Sequence, residues 1–368
     1  PLDHVTNSLL PHDFADQGER FNRAFAVLQA GIEQGALPGA SIAVAHQGKL
    51  IARKAFGRFT YDASSPQVTP QTVYDLASLT KVVVTTAACM LLYQRGQLHL
   101  EQAIRDVLPE FSLDDPRRNS VTFRMLLAHS SGLPAYVKLF QTSSIRDQLL
   151  QQACRVPLAH DPGSHAEYSD IGFILLGEAL ERITGTPLDV FCRQELFLPL
   201  GLETITFNPA VEQRPEIPPT EDDKTFRHRV IQGEVNDENA WVMGGVAGHA
   251  GLFSTASEVA LFAECMLRGG APLFDLHTVE FFTRRQTSPA GTSRALGWDT
   301  PSPPSQSGKY FSPKSYGHLG FTGTSLWIDP ERQLSVTLLS NRTWPDRTAQ
   351  AIKQIRPAFH DAVIEALK

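Results

Sequence analysis

The sequence predicts an α+β fold in which both ends of the chain supply strands to one antiparallel sheet and the middle supplies helices. Three observations carry this. Two hairpin patterns lie far apart, GASIAVAHQGKLIARKAFG turning at HQGK, and TSLWID followed by LSVTLLSN turning at PERQ. Helical segments flank them, GERFNRAFAVLQAGIEQG before the first and RTAQAIKQIRPAFHDAVIEALK after the second. Helical apolar spacing fills the stretch between. The simplest packing joins the hairpins into one sheet covered by the terminal helices and leaves the central helices as a second body. That gives a single domain, with an α/β lobe at about 1–75 and 245–368, a mostly helical lobe at about 76–244, and a cleft between them as the default site.

Taken in order, the first helix ends at Gly35, a residue suited to the left-handed turn that closes a helix. After the β-like YDLA, the run KVVVTTAACMLLYQRG reads as a buried helix closed by Gly96. Residues 122–129, 144–155, 169–184 and 187–196 have helical spacing between Pro and Gly punctuation. Residues 205–240, rich in Pro, Glu and Asp, read as a long irregular excursion. Thr255-Ala-Ser-Glu258 has the pattern of a capping box, in which Thr and Glu satisfy each other's backbone N–H groups, and it opens SEVALFAECMLRG. The proline inside the last helix predicts a kink.

A chain of 368 residues that is 42% hydrophobic can bury a large core. Its net charge of −6 and lack of Lys/Arg runs argue against nucleic acid or an anionic membrane surface as partner. By this reading no apolar stretch reaches bilayer-spanning length, and PLDHVTNSLLPHDF has neither the basic nor the apolar region of a signal peptide. Cys89, Cys154, Cys192 and Cys265 are far apart in apolar settings, which favours buried free thiols, with a disulfide pair as the alternative. No metal or cofactor is predicted.

The chemistry starts at DLASLTKVVVTT, where Ser78 and Lys81 stand three residues apart, so a helix brings them to one face. A serine hydroxyl needs a base, and a desolvated lysine amine can be one. Tyr168, just before Ser169 and another apolar helix, offers a phenol that could relay a proton. GHLGFTGTSLWIDPE is a Gly-punctuated entry to a strand, where small residues let a substrate backbone approach. Other hydrolase plans fit less well. Gly-x-Ser-x-Gly and His-Glu-x-x-His are both absent, and His160 and His165 read as loop residues. His129 reads as structural, and MGGVAGHAG, with no Gly-Lys-Ser/Thr after it, reads as a wall of the cleft.

On these residues the chain resembles the serine penicillin-recognising enzymes: class C β-lactamases, D-alanyl-D-alanine carboxypeptidases and related esterases. Ser78-Leu-Thr-Lys81 matches Ser-x-x-Lys, Tyr168-Ser169-Asp170 matches Tyr-x-Asn, and His318-Leu319-Gly320 matches Lys/His-Thr-Gly, in the family's order. LPGASIAVAHQGKLI, VTFRMLLAHSSGLP, LFLPLGL and GHAGLFSTASEVALFA extend the likeness from about residue 38 to about 341. GEVNDENAWVMGGVAGHAGLFSTA looks closest to a bacterial branch of low-molecular-weight carboxypeptidase type.

The resemblance implies a β-lactamase/transpeptidase-like fold and a serine acyl hydrolase that works through an acyl-enzyme on a small-molecule or peptide substrate. It implies Ser78 as nucleophile, Lys81 and Tyr168 as shared general base and acid, and the N–H groups of Ser78 and Phe321 as oxyanion hole. Asp170, His318, Leu319 and Gly320 would then contact substrate. A D-alanyl-D-alanine carboxypeptidase or β-lactamase-like activity leads. A carboxylesterase of the same fold, or a catalytically silent penicillin-binding sensor, is the alternative. The likeness also implies a periplasmic or extracellular location, while the chain itself leaves a cytoplasmic one open.

Two departures bear on specificity. Asp170 stands where Asn is usual, and its carboxylate is expected to raise the Lys81 pKa. Leu319 replaces a threonine hydroxyl. His318, in a slot often held by Lys, is expected to attract a substrate carboxylate only when protonated, so that KM for such substrates climbs with pH across the histidine range.

Overall fold

The computed structural model describes residues 10–112 and 114–368. The reading of the N-terminal stretch falls mostly on residues 1–9, which lie outside the described residues.

The two predicted hairpins form and join. Strands β1 (Gly39–His46) and β2 (Lys49–Gly57) come from the first, β9 (Thr324–Asp329) and β10 (Leu334–Ser340) from the second, and β8 (Tyr316–Gly320) adds an edge. The sheet runs β2-β1-β10-β9-β8, antiparallel throughout. The chain ends meet at β1 and β10, in register from Ala40 opposite Ser340 to His46 opposite Leu334.

Strand β1 is buried on both faces, so its alternation is of size rather than polarity. Ile42 and Val44 pack with Trp327, Val336 and Leu338 against helix α1 (Asn22–Glu33) and the C-terminal helix (Ile352–Glu365). Ala43 and Ala45 face the larger core, which continues through helix 256–267 into the helices of the chain's middle. The predicted α+β fold is therefore present. All four cysteines are free and buried, as the favoured reading had it.

Four expectations need correction. Residues 205–240 are not irregular throughout: β4 (Thr206–Phe207) pairs with β7 (Leu252–Ser254), β5 (Glu221–Asp223) pairs with β6 (Arg229–Ile231), and Glu238–Val242 is helical. The capping box is half formed. Thr255 accepts from the Glu258 N–H, but the Glu258 carboxylate turns away to accept from the N–H groups of Glu203, Thr204 and Ile205. The C-terminal helix starts at Ile352, five residues later than its pattern suggested.

The fourth correction concerns membrane length. Ala77–Gln94 is long and apolar enough to cross a bilayer, contrary to the sequence reading, yet 83% of it is buried inside the protein. It is a core helix. It opens as a 3₁₀ turn at Ala77–Leu79, widens to a π-helical stretch at Lys81–Thr86, and becomes α-helical at Ala87–Gln94. Thr86 Oγ1 donates to the Lys81 carbonyl at 2.8 Å, holding the wide turn that carries Lys81. Wide turns of this kind recur at functional sites.

Candidate active site

The turn that presents Ser78 is strained. Ala77 has φ of +48°, a left-handed conformation that costs a residue with a Cβ about 1–2 kcal/mol. Its N–H donates to Asp75 Oδ1 at 2.8 Å, and Asp75 Oδ2 accepts from the Asn236 N–H at 2.8 Å. Thr322 Oγ1 donates to the Asp75 carbonyl and Thr324 Oγ1 to the Leu76 carbonyl, each at 2.9 Å. Those two threonines sit at the β8–β9 turn, so the sheet edge is locked to the serine turn.

Around Ser78 Oγ the predicted residues converge. Lys81 Nζ lies 2.8 Å from it, and Tyr168 Oη donates to it at 2.8 Å. The Lys81 side chain is fully buried, ion-paired with Asp170 Oδ1 at 2.7 Å, and donates to the His249 carbonyl at 3.1 Å. Burial pulls the Lys81 pKa down, but the Asp170 charge and then the Tyr168 hydroxyl outweigh it and hold the amine above its ordinary value. The expected effect of Asp170 is present. Burial raises the Tyr168 pKa, opposed by Lys81. The resting site therefore holds an ammonium and a neutral phenol.

His129 has the structural part its sequence suggested. Its Nδ1 accepts from the Ser169 N–H at 2.9 Å, its carbonyl accepts from the Glu167 N–H at 2.8 Å, and its ring lies 4.7 Å from that of Tyr168. It fixes the segment that aims the phenol. Residues His160 and His165 lie on a loop with their rings stacked at 4.0 Å.

The third motif lines the other wall, and here one expectation fails. His318 is 3% exposed and its Nδ1 is 2.7 Å from the Leu319 carbonyl. Burial, with Lys81 and Arg294 nearby, drives its pKa well below the ordinary histidine value. It stays neutral through the physiological range and cannot be a pH-conditioned cation. Leu319 and Gly320 line the cavity. A Cβ on Gly320 would sit 1.9 Å from Thr324 Oγ1 and 2.8 Å from the Leu76 carbonyl oxygen, so only glycine permits this approach of strand to serine turn. The N–H groups of Ser78 and Phe321 have no acceptor among the described residues, which leaves both able to donate to a substrate oxygen.

These groups line a cavity of about 550 Å³. The sequence missed several of its members. Arg294 lies over the Tyr168 ring at 5.2 Å and only 3.9 Å from Asp299, its one ion-pair partner among the described residues. Asp237, at the start of helix 238–242, accepts from the Ala240 N–H at 2.8 Å and lies 2.7 Å from His249 Nε2. The His249 contact and Lys81 hold its pKa below the carboxylate range despite burial. The cleft wall read from MGGVAGHAG is in place, since His249 and Ala250 line the cavity. Gly248 lets this loop touch the helix Asp170–Thr184, where a Cβ would meet the Phe173 carbonyl at 2.2 Å. Asp170, Asp237 and His249 bring ligand-type atoms within 4.8 Å of one another, but Lys81 already stands among them as resident cation.

A serine held by a buried lysine and a tyrosine, at the edge of an antiparallel sheet, defines the class: a serine hydrolase of penicillin-recognising type. The chain belongs to the β-lactamase family, whose model matches residues 24–358. It is 34% identical over 362 residues, covering 88% of this chain and 82% of the relative, to a protein of Escherichia coli (strain K12) described as "Putative D-alanyl-D-alanine carboxypeptidase". A Salmonella typhimurium relative of the same description is 33% identical over 378 residues, covering 92% and 86%. Solved structures share the fold at low identity. EstCE1, described as a hydrolase with promiscuous acyltransferase activity, superposes with a TM-score of 0.78 at 20% identity over 94% of this chain and 98% of that one. The octameric penicillin-binding protein homologue from Pyrococcus abyssi does so at 0.74 and 19%, over 94% and 77%.

Proposed function

We propose that the protein is a carboxypeptidase-like acyl hydrolase in which Ser78 attacks an amide or ester carbonyl of a substrate that ends in a carboxylate. The observation that carries this is the double contact on Ser78 Oγ, from Lys81 Nζ and Tyr168 Oη, each at 2.8 Å. In acylation the Ser78 oxygen bonds to the carbonyl carbon, its proton passes into the Lys81–Tyr168 pair, and the pair returns a proton to the leaving amine or alkoxide. Water then repeats the sequence on the acyl-enzyme. Because Lys81 rests as an ammonium, this pair must first shed a proton, and Asp170, 2.7 Å away, is the adjacent carboxylate that can accept it. Ser78 and Phe321 N–H groups would hold the oxyanion.

The carboxylate preference rests on Arg294. A guanidinium stays charged throughout the physiological range, and this one faces the cavity with a weak partner. The descriptions of the 34%-identical relatives point the same way.

The test is incubation with three probes: an acyl-D-alanyl-D-alanine peptide, a fluorescent penicillin and a neutral chromogenic ester. Release of D-alanine with slow turnover of the penicillin supports the reading. Fast ester hydrolysis with no peptide cleavage would make the protein an esterase, and stable penicillin labelling with no turnover would make it a sensor.

A further inference from the structure

One amide group carries both a proposed oxyanion donor and an unusual load. The N–H of Phe321 and the carbonyl of Gly320 belong to the same peptide unit. That carbonyl accepts from the Arg356 guanidinium at 2.6 Å, and a second Arg356 contact, 3.0 Å, goes to the Thr324 carbonyl. On the other side of Phe321, its own carbonyl accepts from Arg342 Nε at 2.7 Å, while the Arg342 guanidinium covers the phenyl ring at 4.5 Å.

Both arginines are buried, at 5% and 4% exposure, and neither forms an ion pair among the described residues. Their neighbour Arg347, by contrast, is met by Glu221 and Glu238. Among the described residues the only side-chain acceptor of Arg356 is the neutral amide oxygen of Gln306, at 2.8 Å. Burial and the nearby Arg342 charge push the Arg356 pKa down, as befits an uncompensated buried cation. Structural arginines at such depth normally carry a carboxylate partner. A full positive charge is instead spent on the backbone beside the serine turn.

We infer that Arg356 is a positioning residue of the oxyanion hole: its charge, hydrogen-bonded to the Gly320 carbonyl, polarises the Gly320–Phe321 peptide so that the Phe321 N–H becomes a stronger donor, and Arg342 fixes that peptide's orientation from the other side. A charge-assisted hydrogen bond at the oxygen of an amide withdraws electrons from its nitrogen, and hydrogen bonds chained through one amide reinforce each other in a low-dielectric setting. The gain falls on the transition state, where the carbonyl oxygen becomes an oxyanion, rather than on the neutral ground state. This inference rests on the acyl-enzyme reading above.

Three variants test it, with a p-nitrophenyl ester carrying a ¹³C=O acyl group as probe. Gln306→Glu is the most discriminating, since it places a carboxylate on Arg356 at unchanged size. A packing role predicts equal or higher stability and unchanged activity. Polarisation predicts a kcat about 3- to 10-fold lower at nearly constant KM, because the new carboxylate absorbs the charge. Arg356→Gln should lower kcat by about 10- to 100-fold, and Arg356→Lys should recover part of the loss. In each weakened variant the infrared band of the acyl-enzyme ester carbonyl should move to higher wavenumber. Unchanged kcat and carbonyl band in folded Gln306→Glu would overturn the inference while leaving the acyl-enzyme reading standing. A parent protein that forms no acyl-enzyme at Ser78 would overturn both.

Discussion

Lys81 Nζ and Asp170 Oδ1 lie 2.7 Å apart, with the lysine side chain fully buried, so the amine beside Ser78 is held by a carboxylate. Burial favours the neutral amine, and the Asp170 charge overrides it. Substituting Asp170→Asn removes the overriding influence and leaves burial. The Lys81 pKa then falls, and because Asp170 also raises the Tyr168 pKa, that group moves in the same direction. The rising limb of kcat/KM against pH, which reports the group that must be deprotonated to accept the serine proton, should shift to lower pH. A limb that stays in place, or moves up, would show that this ion pair does not set the proton-accepting group.

Lys81 and Tyr168 both contact Ser78 Oγ and should act as one unit. Lys81→Ala and Tyr168→Phe are each expected to lower kcat by at least about 10²-fold, with the double variant little worse than the more damaging single one. Single-turnover acylation rates measure this. Losses that multiply would mean two independent contributions.

Because His318 is buried and neutral, KM for a carboxylate substrate should be flat between about pH 5.5 and pH 8, where a histidine cation would have made it climb. Arg294 takes that duty in this account. Arg294→Met should raise KM for the carboxylate substrate by about 10- to 100-fold, the scale of one hydrogen bond to a charged group. The neutral ester's KM should change less than about 2-fold. Equal effects on both substrates would separate Arg294 from carboxylate recognition.

Glu258 is fully buried and its carboxylate accepts from three successive backbone N–H groups, at 2.7, 2.9 and 2.7 Å. Glu258→Ala leaves those donors unsatisfied, each at a cost of about 1–3 kcal/mol, so urea unfolding should show a total loss of at least about 3 kcal/mol. Glu258→Gln keeps one acceptor oxygen and should lose less. Equal losses would place the effect in cavity formation instead.

What the sequence disclosed is what local chemistry determines. The spacing of Ser78 and Lys81 is a helical contact, and the two hairpins are carried by alternation and turn residues, so each was visible in a short window. Tyr168 is distant in sequence and entered through its position before a helix and the resemblance of its motif. His249 entered only as part of the glycine-rich MGGVAGHAG wall, and Arg294, Asp237, Arg342 and Arg356 carry no local signal. They matter because loops and the C-terminal helix bring them to the sheet edge, an approach set by packing among far-separated segments. The His318 expectation failed for a related reason: its titration range follows from burial, which depends on the strands and side chains around it. Glu258 fitted a local capping pattern, yet three N–H groups some fifty residues earlier in the chain claim its carboxylate.

Acyl-enzyme formation at Ser78 can be read directly as a mass change. Treating the protein with a penicillin or an activated ester, quenching early and digesting should yield one added acyl mass on the peptide that contains residues 75–86, with none in Ser78→Ala. Full labelling or full activity of Ser78→Ala, or the acyl mass on another peptide, would contradict the account.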